Sequence, residues 1–340
     1  MGSSGRIESS TPFGSILDVS GVGVGHHQRT AAGWQTGTTV VTVGAGATPG
    51  VDVRGGGPGT RETDALRPEN LVRTIHAVTL TGGSAFGLAA AHGVMQVLET
   101  AGLGFPIGEG VVPVVPAAVI FDLGRGGRFA NRPDASFGER AARTALAGRR
   151  TPAWGSVGAG TGARAGGLQG GVGTASVTVA VGDCEVMVGA VAVVNSIGSA
   201  IDPATALPWE SSGLGLRRPS AARRRAVLEA MKQPGPRLNT TIGVVATSAR
   251  LDKSEASKVA SVAHDGLARA IRPAHGMTDG DTIFCLATGD VVLPDEPAAR
   301  VTALNSLLRA GADVFAAACT HAIVEASTIG DDPAWRDLVG

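Results

Sequence analysis

A chain of 340 residues with 43% hydrophobic residues can bury a substantial core, in one large domain or two. Basic and acidic residues number 29 each, so the net charge is zero and no whole-chain footprint for DNA or RNA is present. Aromatics are only 4% and tyrosine is absent, which also argues against stacking platforms for single-stranded nucleic acid. Glycine is abundant (51 residues) but follows no period, which points to close layer packing and tight turns rather than collagen or disorder.

In chain order, residues 1–13 are small, polar and without an apolar centre, and read as a flexible N-terminal segment that is not a signal peptide. Residues 38–43 are β-branched and predict a strand. Residues 77–80 predict a second, running into Thr81-Gly82-Gly83-Ser84, with a helix from Ser84 to about residue 100. Ser84 is placed to cap that helix, and the N–H groups there are candidates for an active-site wall facing an oxyanion. Residues 117–121 predict a strand and 135–146 a helix. Residues 175–181 and 185–194, separated by Gly182-Asp183, form the clearest hairpin signal. Residues 211–232 read as a loop and surface helix whose arginines (217, 218, 223, 224, 225) form a solvated face. Strands at 240–247 and 282–287 flank a helix at 253–271, and an alanine-rich helix at 298–326 follows. Antiparallel-looking strand sets with long helices favour a layered α+β fold.

The longest apolar runs, 111–121 and 186–194, are shorter than the roughly 20 residues of a membrane helix. Cys184, Cys285 and Cys319 lie in apolar runs too far apart for a zinc pattern and read as core residues of a reduced, cytoplasmic protein. No HExxH, CxxC, Walker loop or GxSxG elbow occurs, and His26 and His27 would face opposite ways on a strand, so neither a metal nor a cofactor is expected. The runs Gly55-Gly56-Gly57-Pro58-Gly59 and 158–173 lack the strand and helix context of a phosphate cradle, and suit tight packing or backbone approach to a substrate.

Two sites carry candidate chemistry. The first is Asn239-Thr240-Thr241-Ile242 after the breaker-rich Gln233-Pro234-Gly235-Pro236. Alone it is an ordinary strand start. In the sharper reading the Asn239–Thr240 bond breaks, and Thr240 becomes an N-terminal nucleophile with its own amine as general base. The second is His275-Gly276-Met277-Thr278-Asp279-Gly280-Asp281, at the mouth of an apolar strand. Asp279 and Asp281 would share one face of an extended segment, a costly placement unless a cation, such as the freed Thr240 ammonium, or a shared proton accompanies them.

Asn-Thr-Thr-Ile-Gly-Val-Val-Ala-Thr (239–247), Ile-Arg-Pro-Ala-His (271–275) and Asp-Gly-Asp-Thr (279–282) together resemble the P1 peptidase family of L-aminopeptidase/D-esterase-amidases, β-aminopeptidases and nylon-oligomer hydrolases. Asp52-Val53-Arg54-Gly55-Gly56, Leu80-Thr81-Gly82-Gly83-Ser84, Ala118-Val119-Ile120-Phe121-Asp122, Gly158-Ala159-Gly160-Thr161-Gly162 and Val193-Val194-Asn195 extend the resemblance over residues 14–325. It implies a self-cleaving precursor with an αββα sandwich similar to N-terminal-nucleophile hydrolases but differently connected, forming a homo-oligomer of four or more chains. It implies one catalytic domain, 14–340, cut into 1–239 and 240–340, that acts on small peptides or amides. Thr240 would be the nucleophile and Asn195 would help hold the oxyanion or the amine. Asp281 would orient and polarise Thr240, with Asp279 behind it. Phe121, Gly82, Gly83 and Ser84 would line the substrate pocket. Two departures stand out: Phe121 falls where the family has an active-site tyrosine, and Gly167 near a family lysine, with Arg164 alone close enough to replace it. A glutamate N-acetyltransferase, which shares the fold but cuts before a different motif, and a non-catalytic scaffold are the alternatives.

Overall fold

The computed structural model describes residues 13–148, 152–212, 214–232 and 238–340; the expected N-terminal segment up to residue 12 and the breaker-rich 233–237 lie outside them. Nine strands share one hydrogen-bonded path: β1 (Val22–Arg29), β2 (Thr36–Val53), β3 (Thr60–Arg61), β4 (Ile75–Thr81), β5 (Ala117–Val119), β6 (Gly171–Val181), β7 (Cys184–Val194), β8 (Ile242–Ala249) and β9 (Thr282–Val291). Their order is β6-β7-β8-β9-β2-β4-β5-β3, with β1 also on β2. Strand β2 joins two sheets. Its first half pairs with β1 and β4 and its second half with β9, and the register shifts between Thr42 and Ala47. Gly46, at a φ of 82°, allows the bulge that bends the strand from one layer into the other.

Side-chain alternation shows the layers. Ile242, Val244 and Ala246 of β8 pack with Val191, Phe284 and Leu286, and with Val41, Val78 and Leu80 of the other sheet. Val245, Ile283 and Cys285 point the opposite way, into a core shared with Val259, Leu267, Phe315 and Cys319. These last four lie on α4 (Lys253–Ala270) and α5 (Pro297–Glu325). On the far side, Val40 and Ala77 meet α1 (Ala90–Thr100) and α2 (Ala135–Leu146) through Val94, Leu98 and Ala141. The order helix, sheet, sheet, helix is the expected αββα sandwich. Strands β7, β8 and β9 are mostly apolar over the stretches where both faces are covered, Val188 to Val194, Ile242 to Ala249 and Thr282 to Ala287.

Helix α4 is the crossover between the parallel pair β8 and β9. Asp252 and Glu255 close its first turn as a capping box. A Cβ on Gly243 would lie 2.5 Å from the Phe315 ring, so glycine lets α5 seat that fully buried ring against β8. Burying such a ring is worth about 1.5–3 kcal/mol. Helix α5 is apolar and long enough to cross a membrane, but most of its apolar stretch is buried in this outer core.

Several local expectations change. Ser84 does not cap a helix: a 3₁₀ segment Ser84–Ala89 precedes α1, its cap is Gly83 at φ 86°, and no side chain caps it. Ser84 itself holds a φ of 51°, and its N–H donates to Ile120 O. Cys184 is exposed, because it is the first residue after the Gly182-Asp183 turn, whereas Cys285 and Cys319 are buried as expected. The surface helix after the loop is α3 (Ala221–Met231), and it buries only Val227 and Ala230.

Candidate active site

Strand register builds the site. In the antiparallel pair β7/β8, Val193 faces Ile242, so Asn195 and Thr240 lie opposite each other just beyond the strand ends. The Thr240 N–H donates to Asn195 O at 2.7 Å. In the parallel pair β8/β9, Ile242 faces Thr282, and the pairing continues outward as an Asn239–Asp279 bridge. The Gly280 N–H therefore reaches Thr240 Oγ1 at 3.1 Å, and that hydroxyl donates to Asn239 O at 2.5 Å. Thr240 and Asn239 are both buried.

The acidic pair sits beside this bond. Asp281 Oδ1 accepts the Thr241 N–H at 2.7 Å, and Oδ2 accepts His275 N at 3.1 Å and lies 2.8 Å from His275 Nδ1. Asp281 thus grips the residue after Thr240 rather than Thr240 itself. Asp279 Oδ2 accepts the Gly276 N–H at 2.9 Å, and its Oδ1 has no partner among the described residues. Burial, and next the nearby Asp281, push the Asp279 carboxyl above its ordinary range. His275 holds a φ of 60°, a conformation costly for a side-chain-bearing residue, and its backbone and ring nitrogens meet one carboxylate oxygen there. The Gly55-Gly56-Gly57 run backs the turn, with Gly57 N donating to Asp279 O at 2.8 Å. A Cβ on Gly55 would come within 2.2 Å of that same oxygen, so only glycine lets the backbone approach.

A cleft of about 130 Å³ opens at Thr240, with Phe121 and Ser84 in its wall beside Gly57-Pro58-Gly59. Gly82 and Gly83 are not in the wall. A Cβ on Gly82 would lie 2.1 Å from Asp122 Oδ2, and the Gly83 N–H donates to Asp122 Oδ1 at 2.6 Å. With the Ser84 N–H given to Ile120, neither N–H is free for an oxyanion. A larger cavity of about 560 Å³ lies between β6 and α5, lined by Phe13, Val177 and Asp313 among others, away from this chemistry.

Three residues join the site without having been singled out. Buried Asp122 accepts from Thr36 Oγ1 at 2.6 Å as well as from Gly83, and burial raises its carboxyl to about 6 against those bonds. Buried Arg125 donates to the side chains of Asn195 and Asn239 and to Leu238 O. His275 stands within a motif that the sequence offers, with no role attached. Asn195 Oδ1 also accepts the Arg164 N–H at 3.1 Å, while the Arg164 guanidinium turns away to Asp332, so only its backbone serves the site.

His275 gives a pH signature. Its bond to Asp281 raises its pKa above the ordinary 6.5, against burial. The stabilising contribution is therefore complete below that value and is lost as pH rises through the raised one. The thermal midpoint of the wild type is expected to fall more between about pH 5 and about pH 8 than that of His275→Gln. Parallel curves for the two proteins would contradict the pairing.

Residues 14–333 match the model of peptidase family S58. An uncharacterized aminopeptidase of Mycobacterium tuberculosis is 48% identical over 345 residues, covering 95% of this chain and 97% of the relative. A 6-aminohexanoate-oligomer endohydrolase of Paenarthrobacter ureafaciens is 30% identical over 290 residues, 83% of this chain and 77% of that protein. Among solved structures, the L-aminopeptidase D-Ala-esterase/amidase of Ochrobactrum anthropi superposes with a TM-score of 0.71 at 20% identity, covering 96% of this chain and 90% of that one. A Burkholderia sp. β-aminopeptidase gives 0.68 at 21%, covering 98% and 96%. The fold is that of an Ntn-type hydrolase, and the enzyme is a hydrolase of amide or peptide bonds. The chain belongs to peptidase family S58.

Proposed function

We propose that the chain cleaves itself between Asn239 and Thr240, and that Thr240, as the new N-terminal residue, attacks amide bonds of small peptides, amino-acid amides or related oligoamides. The observation that carries this reading is the buried Thr240 hydroxyl, held against the carbonyl of the residue it would be cut from. Attack of Oγ1 on the Asn239 carbonyl carbon would give an ester, which water hydrolyses. The same hydroxyl, with the freed amine as base, then repeats acyl transfer on substrate. The Gly280 N–H donates to this hydroxyl and the Asn195 carbonyl accepts the Thr240 N–H, so both hold the nucleophile at the bond. The activities for which the relatives are named, aminopeptidase and 6-aminohexanoate-oligomer endohydrolase, support amide substrates. They lend no support to acetyl transfer or to a scaffold. The test is amine release by the purified protein from amino-acid amides, dipeptides and 6-aminohexanoate oligomers, with and without an added acyl acceptor. Turnover that requires the acceptor, or none on any of the three classes, would contradict the reading.

Phe121 sets a limit on this site. Its ring shares the cleft with Thr240 but donates no hydrogen bond. One donor aimed at a developing charge is worth about 10² to 10³ in rate. Phe121→Tyr is therefore expected to raise kcat on simple amino-acid amides, while the native site favours more apolar acyl groups. Unchanged turnover and selectivity would remove Phe121 from the account.

A further inference from the structure

Arg125 is a buried cation without a contacting anion. It is 5% exposed, and no described carboxylate lies within ion-pair distance of it. Asp122 and Asp332 act on it only through space, and Asp332 is itself paired with Arg164. Its Nη1 donates to Asn195 Oδ1, and its Nη2 donates to Leu238 O at 2.9 Å and Asn239 Oδ1 at 2.5 Å. Its Nε has no partner among the described residues. All three acceptors are neutral, and two of them belong to the two residues just before Thr240. Across the Asn239–Thr240 bond, buried Asp279 likewise has an oxygen without a partner.

Burying a charge without its counter-charge is costly, so such groups persist where function requires them. One peptide bond here separates a cation lacking an anion from a carboxyl lacking a cation. Hydrolysis of that bond supplies both. The Oγ1–C bond forms as the C–N bond breaks, and the hydroxyl proton ends on the Thr240 amine. Water then adds to the ester carbon, one of its protons returning to Oγ1 and the other passing to the Thr240 amine. The products are an α-carboxylate on Asn239 and an ammonium on Thr240.

We infer that Arg125 is a positioning residue for this cleavage, holding Leu238 and Asn239 in line with the Thr240 hydroxyl, and that it afterwards binds the α-carboxylate left on Asn239. The inference rests on the self-cleavage proposed above. Before the cut, the guanidinium fixes the upstream peptide at two points, which a point charge on a flexible stem reproduces poorly. After the cut, it gains a charge-assisted partner on Asn239, whose side chain it already holds and which follows the Leu238 carbonyl it binds.

The experiment follows full-length wild type, Arg125→Met and Arg125→Lys by denaturing mass spectrometry after cell-free synthesis. Misplacing reacting groups by about 1 Å costs about 10²-fold in rate, so Arg125→Met is expected to be cut about 10²-fold more slowly than wild type, with Arg125→Lys between them. Low-millimolar guanidinium ion, far below denaturing levels, should accelerate Arg125→Met and leave wild type unchanged, which a loss of packing alone would not produce. Carboxypeptidase should leave Asn239 in place on the folded, cut wild type and remove it once the protein is unfolded. A folded Arg125→Met cut within about threefold of wild type would overturn the positioning role. Removal of Asn239 from folded wild type as fast as from unfolded chain would overturn the carboxylate site. Should Arg125→Met not fold, the lysine variant and the carboxypeptidase comparison decide. A wild type that is never cut overturns the self-cleavage itself, a result read without any Arg125 variant.

Discussion

Thr240→Ala is expected to remain one polypeptide of 340 residues and to show no amide hydrolysis. The substitution deletes the hydroxyl that lies 2.5 Å from Asn239 O, and with it the attacking group of the proposed cleavage. Little else should change. Thr240 is held by its backbone N–H on Asn195, which alanine keeps, and Ile242 and Val244 still anchor β8 in the inter-sheet core. The protein should therefore fold with a melting temperature close to that of the uncut wild type. Cleavage of Thr240→Ala at the same bond would show that a different group does the chemistry.

Asp281→Asn carries the second large effect. Both carboxylate oxygens of Asp281 accept N–H bonds, from Thr241 on one side and His275 on the other. An amide can keep one of these acceptors but must turn its NH₂ toward another donor. Leaving such a buried donor unmet costs about 1–3 kcal/mol locally. That is small beside the stability of a chain with two extensive cores, so the fold should survive. The alignment of Thr240 depends on the next residue being gripped, and the amine of a freed Thr240 loses a neighbouring negative charge. The expected loss of hydrolysis is about 10² to 10⁴-fold, the range of general-base assistance. Measured kcat within a few-fold of wild type would reduce Asp281 to a turn-forming residue.

Much of the layered fold is legible in local pattern. Residues 240–247 and 282–287 read as strands because β-branched and apolar residues dominate them, and they do so because both faces are buried there; the strands run on to Ala249 and Val291. Gly182-Asp183 marks its hairpin since a two-residue turn needs positive φ, which Gly182 adopts at 58°. Helix Ala135–Leu146 is bounded by Asp134, whose side chain caps it. Other features escape local reading. Gly44-Ala45-Gly46 looks like the end of a strand, yet it is the bulge through which β2 continues into the second sheet. Strand β1, with Gly23, Gly25, His26 and His27, lacks an apolar alternation because α2 packs closely over it: a Cβ on Gly25 would meet the Ala141 carbonyl at 2.1 Å.

The site divides in the same way. Thr240, Asp279 and Asp281 are readable because each stands at the head of a strand, and strand pairing brings the heads together. Phe121 and Ser84 line the cleft beside Thr240, whereas Gly82 and Gly83 lie against Asp122. Arg125 gives no signal in Gly124-Arg125-Gly126-Gly127, since its partners Asn195 and Asn239 lie 70 and 114 residues away and only the tertiary fold unites them.

The central claim is that the Asn239–Thr240 bond breaks to free a threonine nucleophile. The intact mass of purified wild-type protein under denaturing conditions tests it most directly. The account predicts two masses, matching residues 1–239 and 240–340, with threonine as the first residue of the second fragment. A single mass for the uncut chain in an enzyme that hydrolyses amides, or a cut at any other bond, would contradict it.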